Sequence, residues 1–217
     1  MSNLPGAFVV VDGPDGSGKT TLAARLVERL SGNGWKVLSV RQPGGTPLAE
    51  VARNAALAPE MEASPLAELF LMLAARADQV SKVIRPALES GAIVISDRYD
   101  LSTQAYQIAG RDLPREEVLQ ANRLATDGLV PDLTIVLDLS VEVSRERQRV
   151  RGEDADRIEK ESSAWHEKIS ETFRDATGQG LVHVNADRTP DEVLRDSWVH
   201  VEQTLLDLFG MTERDAG

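Results

Sequence analysis

The segment Gly13-Pro14-Asp15-Gly16-Ser17-Gly18-Lys19-Thr20 joins glycines, a lysine and a hydroxyl residue in the order G-x-x-x-x-G-K-T. These residue types at this spacing suit one task, the cradling of phosphate groups. Gly13, Gly16 and Gly18 let the backbone turn into a concave nest whose N–H groups converge on oxygen atoms. A helix starting near Lys19 aims its positive end at the same point. The Lys19 ammonium can reach the outer phosphates of a nucleoside triphosphate, and the Thr20 hydroxyl, with Thr21 beside it, can meet them or ligate Mg²⁺. The competing interpretation is an ordinary glycine-rich turn. It is disfavoured by the flanks, a buried-strand pattern FVVVD before the motif and a helical pattern TLAARLVERL after it.

Such a nest works only if a strand delivers it and a helix carries it away. Short apolar runs occur at Phe8–Val11, Val37–Val40, Ile93–Ile95, Leu133–Leu137 and Leu181–Val184. Helical patterns lie between or beyond them at Lys19–Leu30, Pro47–Leu57, Ala67–Glu89, Ser102–Ala109, Arg115–Thr126, Val141–Arg149, Lys160–Ala176 and Pro190–Leu208. Continuous apolar strands separated by helices predict an α/β chain with a five-stranded parallel sheet covered on both faces. No stretch reads as a linker and none repeats, so a single domain over residues 1–217 is expected. The charge-dense segment at 145–161 mixes both signs, and reads either as a solvated helix pair or as a flap carrying arginines.

Composition narrows the partners. Thirty-five acidic against 24 basic residues leave a net charge of −11, which argues against a general nucleic-acid binder. The absence of cysteine excludes disulfides, thiolate metal sites and thiol nucleophiles, and the three scattered histidines make a multi-histidine centre an unattractive choice. No signal peptide and no run of about 18 apolar residues is visible, so a cytoplasmic protein without a membrane partner is expected.

The chain carries no N-K-x-D motif of the GTP-binding switches, and its 217 residues with a late arginine-rich segment suit a small-molecule kinase. Several collinear segments then become specific. VDGPDGSGKTT (11–21), RQPGGTPLAEVAR (41–53), AARADQVSKVIRPALESG (74–91), SDRYDLSTQAYQIAGR (96–111), PDLTIVLDLS (131–140) and RVRGEDADRIEKES (149–162) together resemble the thymidylate kinase family, nucleoside monophosphate kinases acting on dTMP. The resemblance implies the P-loop fold of such kinases, ATP and dTMP as small-molecule partners, Mg²⁺ as cofactor, and a homodimer.

It also implies roles. Asp97, at the end of a strand, would face Mg²⁺ through water, and Arg98 would grip the acceptor phosphate with its planar fork. Asp15 would sit near the acceptor's sugar and phosphate, with an aspartate that only stabilises its own turn as the lesser alternative. Arg53 matches another phosphate-facing position, with a plain surface arginine as the alternative. Arg76 matches the residue that hydrogen-bonds thymine, Thr103 one that reads the pyrimidine edge, and Tyr106 one packed beneath the sugar; for the last two, simple helix packing stays open. The P-loop positions 14–17 hold no basic residue, so the cations for the migrating phosphoryl would come from the lid at 145–161, as in the bacterial type. Arg149 and Arg151 are the candidates and Arg157 a supporting one at the nucleotide. Two positions depart from the family pattern. Met72 stands where a phenylalanine usually stacks on thymine, with Phe70 on a different helix face, and Gln42 stands where a glutamate is usual. Met72 motivates a rival, the same fold acting on dUMP or a modified deoxynucleotide. A non-catalytic nucleotide-binding regulator is the alternative from another class.

Overall fold

The computed structural model describes residues 5–58, 62–151, 157–158 and 160–210. Its centre is strand β1 (Ala7–Asp12), which is buried at every position. Such a strand has to be covered on both faces, because unrelieved apolar character leaves no face for water. It pairs in parallel with β3 (Ile93–Asp97) on one side and β4 (Leu133–Asp138) on the other. β2 (Val37–Arg41) and β5 (Leu181–Asn185) complete a five-stranded sheet in the order β2-β3-β1-β4-β5. The alternation of side chains along β1 divides the core. Val9 and Val11 pack with α1 (Lys19–Gly32) and α9 (Pro190–Phe209), whereas Phe8 and Val10 pack with Val80, Ile84, Leu88 and Tyr99 on the opposite face. Phe8 meets Tyr99 edge-on with ring centroids 4.9 Å apart, a geometry that adds about 0.5–1.5 kcal/mol beyond area burial.

The helices follow the expected patterns with three instructive differences. The long stretch after residue 64 is α3 (Pro65–Gln79), a π-helical turn at Val80–Ile84 and α4 (Arg85–Glu89). The stretch after β3 is likewise α5 (Asp100–Thr103) followed by a π-helical turn at Gln104–Ala109. Periodicity cannot reveal such turns, since one wider turn rotates the face without breaking the apolar pattern. The helix expected from Lys160 begins as α8 (Ser163–Arg174), because Ser162 caps it by accepting from the Trp165 N–H. The remaining helices are α2 (Pro47–Leu57), α6 (Arg115–Thr126) and α7 (Val141–Arg151).

The C-terminal ends of all five strands carry polar residues: Asp12, Arg41, Asp97, Asp138 and Asn185. The chain order reverses around β1, leaving a crevice beyond those ends where α/β sheets bind ligands. Among the described residues, no helix is long and apolar enough to cross a membrane.

Candidate active site

The glycine loop runs directly from β1 into α1. Gly13, at φ 144°, passes so close to β4 that a Cβ would lie 2.8 Å from the Leu137 carbonyl oxygen. Gly16, at φ 78°, is held equally tightly, since a Cβ there would lie 2.7 Å from the Ser144 carbonyl oxygen of α7. Gly18 differs: it is the N-cap of α1 at φ 93°, and a Cβ there would meet nothing within 4 Å. No side chain caps α1, whereas Thr46, Ser64, Ser162 and Thr189 cap other helices. The first N–H groups of α1 therefore keep their bonding capacity for an outside anion. Ser17 adds a buried hydroxyl with no protein partner among the described residues. An uncapped helix start, open space at Gly18 and an orphan hydroxyl fit a phosphate chain.

Lys19 and Thr20 flank this opening. Lys19 donates to the Pro14 carbonyl at 2.7 Å and stands 4.0 Å from the Asp15 carboxylate. Burial, reinforced by the nearby Arg98 charge, lowers the Lys19 ammonium to about 8. The Thr20 hydroxyl donates to Asp97 Oδ2 at 2.6 Å, so the two residues expected to face a metal share one spot. Such a pair of hard oxygen donors suits Mg²⁺. Thr21 lines a cavity with Gly16, Ser17, Gly18, Arg147 and Arg188.

A second cavity opens on the other side of the loop, lined by Asp15, Gln42, Arg53, Met72, Arg76 and Arg98, with Thr103 and Tyr106 also in its wall. Every residue expected to hold an acceptor is thus brought to one place. Arg98 has φ 72°, a left-handed conformation that costs a non-glycine residue roughly 1–2 kcal/mol. In that conformation its guanidinium pairs with Asp15 and donates to the Tyr106 hydroxyl at 3.2 Å. Tyr106 in turn donates to Asp15 Oδ2 at 2.8 Å. Burial alone would raise the Asp15 carboxyl, but Arg98 and Lys19 hold it at about 2. Arg53 donates to the Pro43 carbonyl at 3.1 Å from the rim of the same cavity.

Arg76 is buried on α3, on one helix stripe with Met72, and is held by oxygens alone. Its Nε donates to Gln42 Oε1 at 2.8 Å, Nη1 to Thr103 Oγ1 at 2.7 Å and to Asn122, and Nη2 to the Tyr99 carbonyl at 2.7 Å. All of these acceptors are neutral. Burial consequently pushes the Arg76 pKa down, against the opposing pull of Tyr99, Asp100 and Asp12. The glutamine at 42 is the reason no carboxylate stands there.

Arg149 is exposed and pairs with Glu146 at 3.0 Å. The Arg151 side chain lies outside the described residues, as do residues 152–156 of the lid. Arg157, expected beside the nucleotide, instead pairs with Glu68 and donates to the Ala56 carbonyl at 2.9 Å. The reason is a carboxylate on α3 buried to 1% exposure, which draws in a nearby cation.

Other contributors were missed. Asp12, fully buried at the end of β1, accepts from the Ser102 hydroxyl at 2.7 Å and from the Ser102 and Tyr99 N–H groups, and so sets the turn that presents Arg98. An aspartate ending an apolar strand was its only visible signal. Arg147 and Arg188, in the wall of the cavity beside Gly18, had no motif to mark them.

A family model described as thymidylate kinase matches residues 11–196. The chain belongs to the thymidylate kinase family. Among curated relatives, a thymidylate kinase of Synechococcus sp. (strain JA-2-3B'a(2-13)) is 44% identical over 201 residues, covering 91% of this chain and 95% of that protein. The thymidylate kinase of Deinococcus radiodurans is 40% identical over 201 residues, covering 91% and 97%. That of Pseudomonas fluorescens is 45% identical over 171 residues, covering 78% and 81%. As a member of the thymidylate kinase family, the chain has the five-stranded parallel sheet and glycine loop described above.

Proposed function

We propose that this chain, acting as one kinase domain, transfers the γ-phosphoryl group of ATP to dTMP, giving dTDP and ADP. The observation that carries it is that two cavities meet at the glycine loop, with Asp15 lining one and Gly16 the other. Two anionic ligands bound there would meet end to end, so the acceptor oxygen would face the terminal phosphate in line. The acceptor phosphate is already an anion, so no protein base has to remove a proton.

Within this scheme the loop N–H groups and Lys19 hold the phosphate chain of ATP. Arg98 orients the acceptor phosphate by its fork, and Arg53 approaches from the rim. Arg76 and Thr103 meet the base edge, Met72 lies along the ring, and Tyr106 supports the sugar. Thr20 and Asp97 would hold Mg²⁺, which supplies charge neutralisation between the outer phosphates. Arg149 and Arg151 serve as lid cations, with Arg147 closer to the loop. The exposed side chains of Leu48 and Val51 on α2, and of Leu66 and Phe70 on α3, form an apolar face on two packed helices that suits a homodimer.

The deciding experiment measures ADP release with purified protein, MgATP and each of dTMP, dUMP, dCMP, dGMP and dAMP. dTMP is expected to have the highest kcat/KM by at least about tenfold, a margin of roughly 1.4 kcal/mol. A better acceptor among the others transfers the assignment to that nucleotide. ATP binding without acceptor-dependent turnover points to a regulator.

A further inference from the structure

Glu68 gathers donors from distant parts of the chain. Its Oε1 accepts from Gln107 Nε2 at 3.0 Å, and Arg111 Nε spans both carboxylate oxygens at 3.3 and 3.2 Å. Arg157 Nη2 donates to Oε2. Arg157 also donates to the Ala56 carbonyl through Nε at 3.2 Å and Nη2 at 2.9 Å, close to the C-terminal end of α2 where a cation is favoured. Arg111 in turn pairs with Glu161, so the charges of Glu68, Glu161, Arg111 and Arg157 cancel. Burial would raise the Glu68 carboxyl, but the hydrogen bonds from Arg157, Gln107 and Arg111 leave it below the usual glutamate range. The carboxylate is therefore ionised where it stands.

This cluster lies beside the acceptor cavity. Ile158, next to Arg157, is buried against Tyr106 and Trp165. Ile158, Leu57, Met72 and Gln107 all line that cavity. Thus the end of α2, one face of α3, the π-helical turn and the segment at 157–158 form one wall, and each is tied directly or through its neighbour to Glu68. A buried ion cluster is a weak source of stability, since taking the charges out of water offsets their attraction. Its geometric effect is to join segments distant in sequence at one point.

We propose that Glu68 is a positioning residue for the acceptor, holding Arg157 and Ile158 as a wall of the acceptor cavity. Arg157 then serves the monophosphate side of the site and not the triphosphate. The proposal rests on the assignment of that cavity to dTMP.

The test is steady-state kinetics with both substrates varied for Glu68→Gln, Arg157→Gln and the double variant. Each single change is expected to raise the dTMP KM about tenfold while the ATP KM moves less than about twofold. The double variant is expected to fall clearly short of the product of the two single effects, because the residues share one contact while each keeps others of its own. Arg157→Lys, which keeps the charge, is expected to recover part of the loss. A raised ATP KM with an unmoved dTMP KM in Arg157→Gln overturns the proposal, and so do additive effects in the double variant. Should Glu68→Gln fail to fold by circular dichroism, the substrate-specific KM split in Arg157→Gln, with its rescue by lysine, decides alone. Wild-type protein without dTMP turnover sinks the cavity assignment itself, and that control does not involve the variants.

Discussion

Arg98 leaves the end of β3 in a left-handed backbone conformation and closes an ion pair with Asp15, which lies 83 residues earlier in the glycine loop. Both residues line the same cavity, and Asp15 is the chain neighbour of Gly16, which lines the other. Asp15 and Tyr106 hold the guanidinium in place. A fork held by fixed partners costs less to order when it binds a phosphate.

Arg98→Ala is expected to raise the dTMP KM by about 10- to 100-fold, the loss of one charge-assisted hydrogen bond at roughly 1.5–3 kcal/mol. Arg98→Lys is expected to recover little, because a point charge cannot reproduce the fork. Initial rates at saturating ATP check both. Unchanged acceptor kinetics in Arg98→Ala would remove this residue from the site.

Lys19 makes nucleotide affinity depend on pH. Its ammonium is lowered to about 8, so the free protein carries that charge below pH 8 and loses it as pH rises. A triphosphate needs the charged form, and above pH 8 binding has to take up a proton. The ATP Kd is expected to rise by up to about tenfold per pH unit above that point, with a buffer-dependent binding enthalpy. Calorimetry at pH 7, 8 and 9 measures it, and a flat profile would detach the lysine from the phosphates.

Met72 offers sulfur where a flat ring would stack. Met72→Phe is expected to lower the dTMP KM by about 3- to 10-fold, matching roughly 0.5–1.5 kcal/mol for a well-placed aromatic pair. The ATP KM serves as the internal control. No change, or a loss of dTMP turnover, means that the base does not lie along this stripe of α3.

His183 on β5 has acceptors on both sides, the Asp138 carboxylate 2.9 Å from Nδ1 and the Ala176 carbonyl 2.8 Å from Nε2. Burial lowers its pKa, but these partners more than offset that and raise it above the usual 6.5. The protonated ring therefore contributes stability that is complete below pH 6.5 and fades as pH rises through the folded value. The difference in Tm between the wild type and His183→Gln is expected to be largest at pH 5.5–6 and to close by pH 9. The contribution is about 1 kcal/mol or less, since the ring is partly solvated. Melting curves across that range settle the sign.

Much of the architecture was legible because it is written locally. The run FVVVD had to be a doubly covered strand, and G-x-x-x-x-G-K-T had to be a turn entering a helix. Residues 98–106 were legible as a site segment by their family pattern. The neutral shell around Arg76 was not, because Gln42, Tyr99, Thr103 and Asn122 approach it from separate elements. Nor were the π-helical turn that places Gln107 in the cavity wall and the buried Asp12 that shapes the Tyr99–Ser102 turn.

By itself, the order of residues determined the strands, the glycine nest and the place of Thr20 in the first turn of α1, since each depends on neighbours within one or two turns of chain. Only the tertiary structure decided which charges meet. Arg98 finds Asp15 across 83 residues and Arg157 finds Glu68 across 89. Those partnerships are set by how parallel crossovers stack their helices around β1, and by the cost of leaving a buried carboxylate without donors.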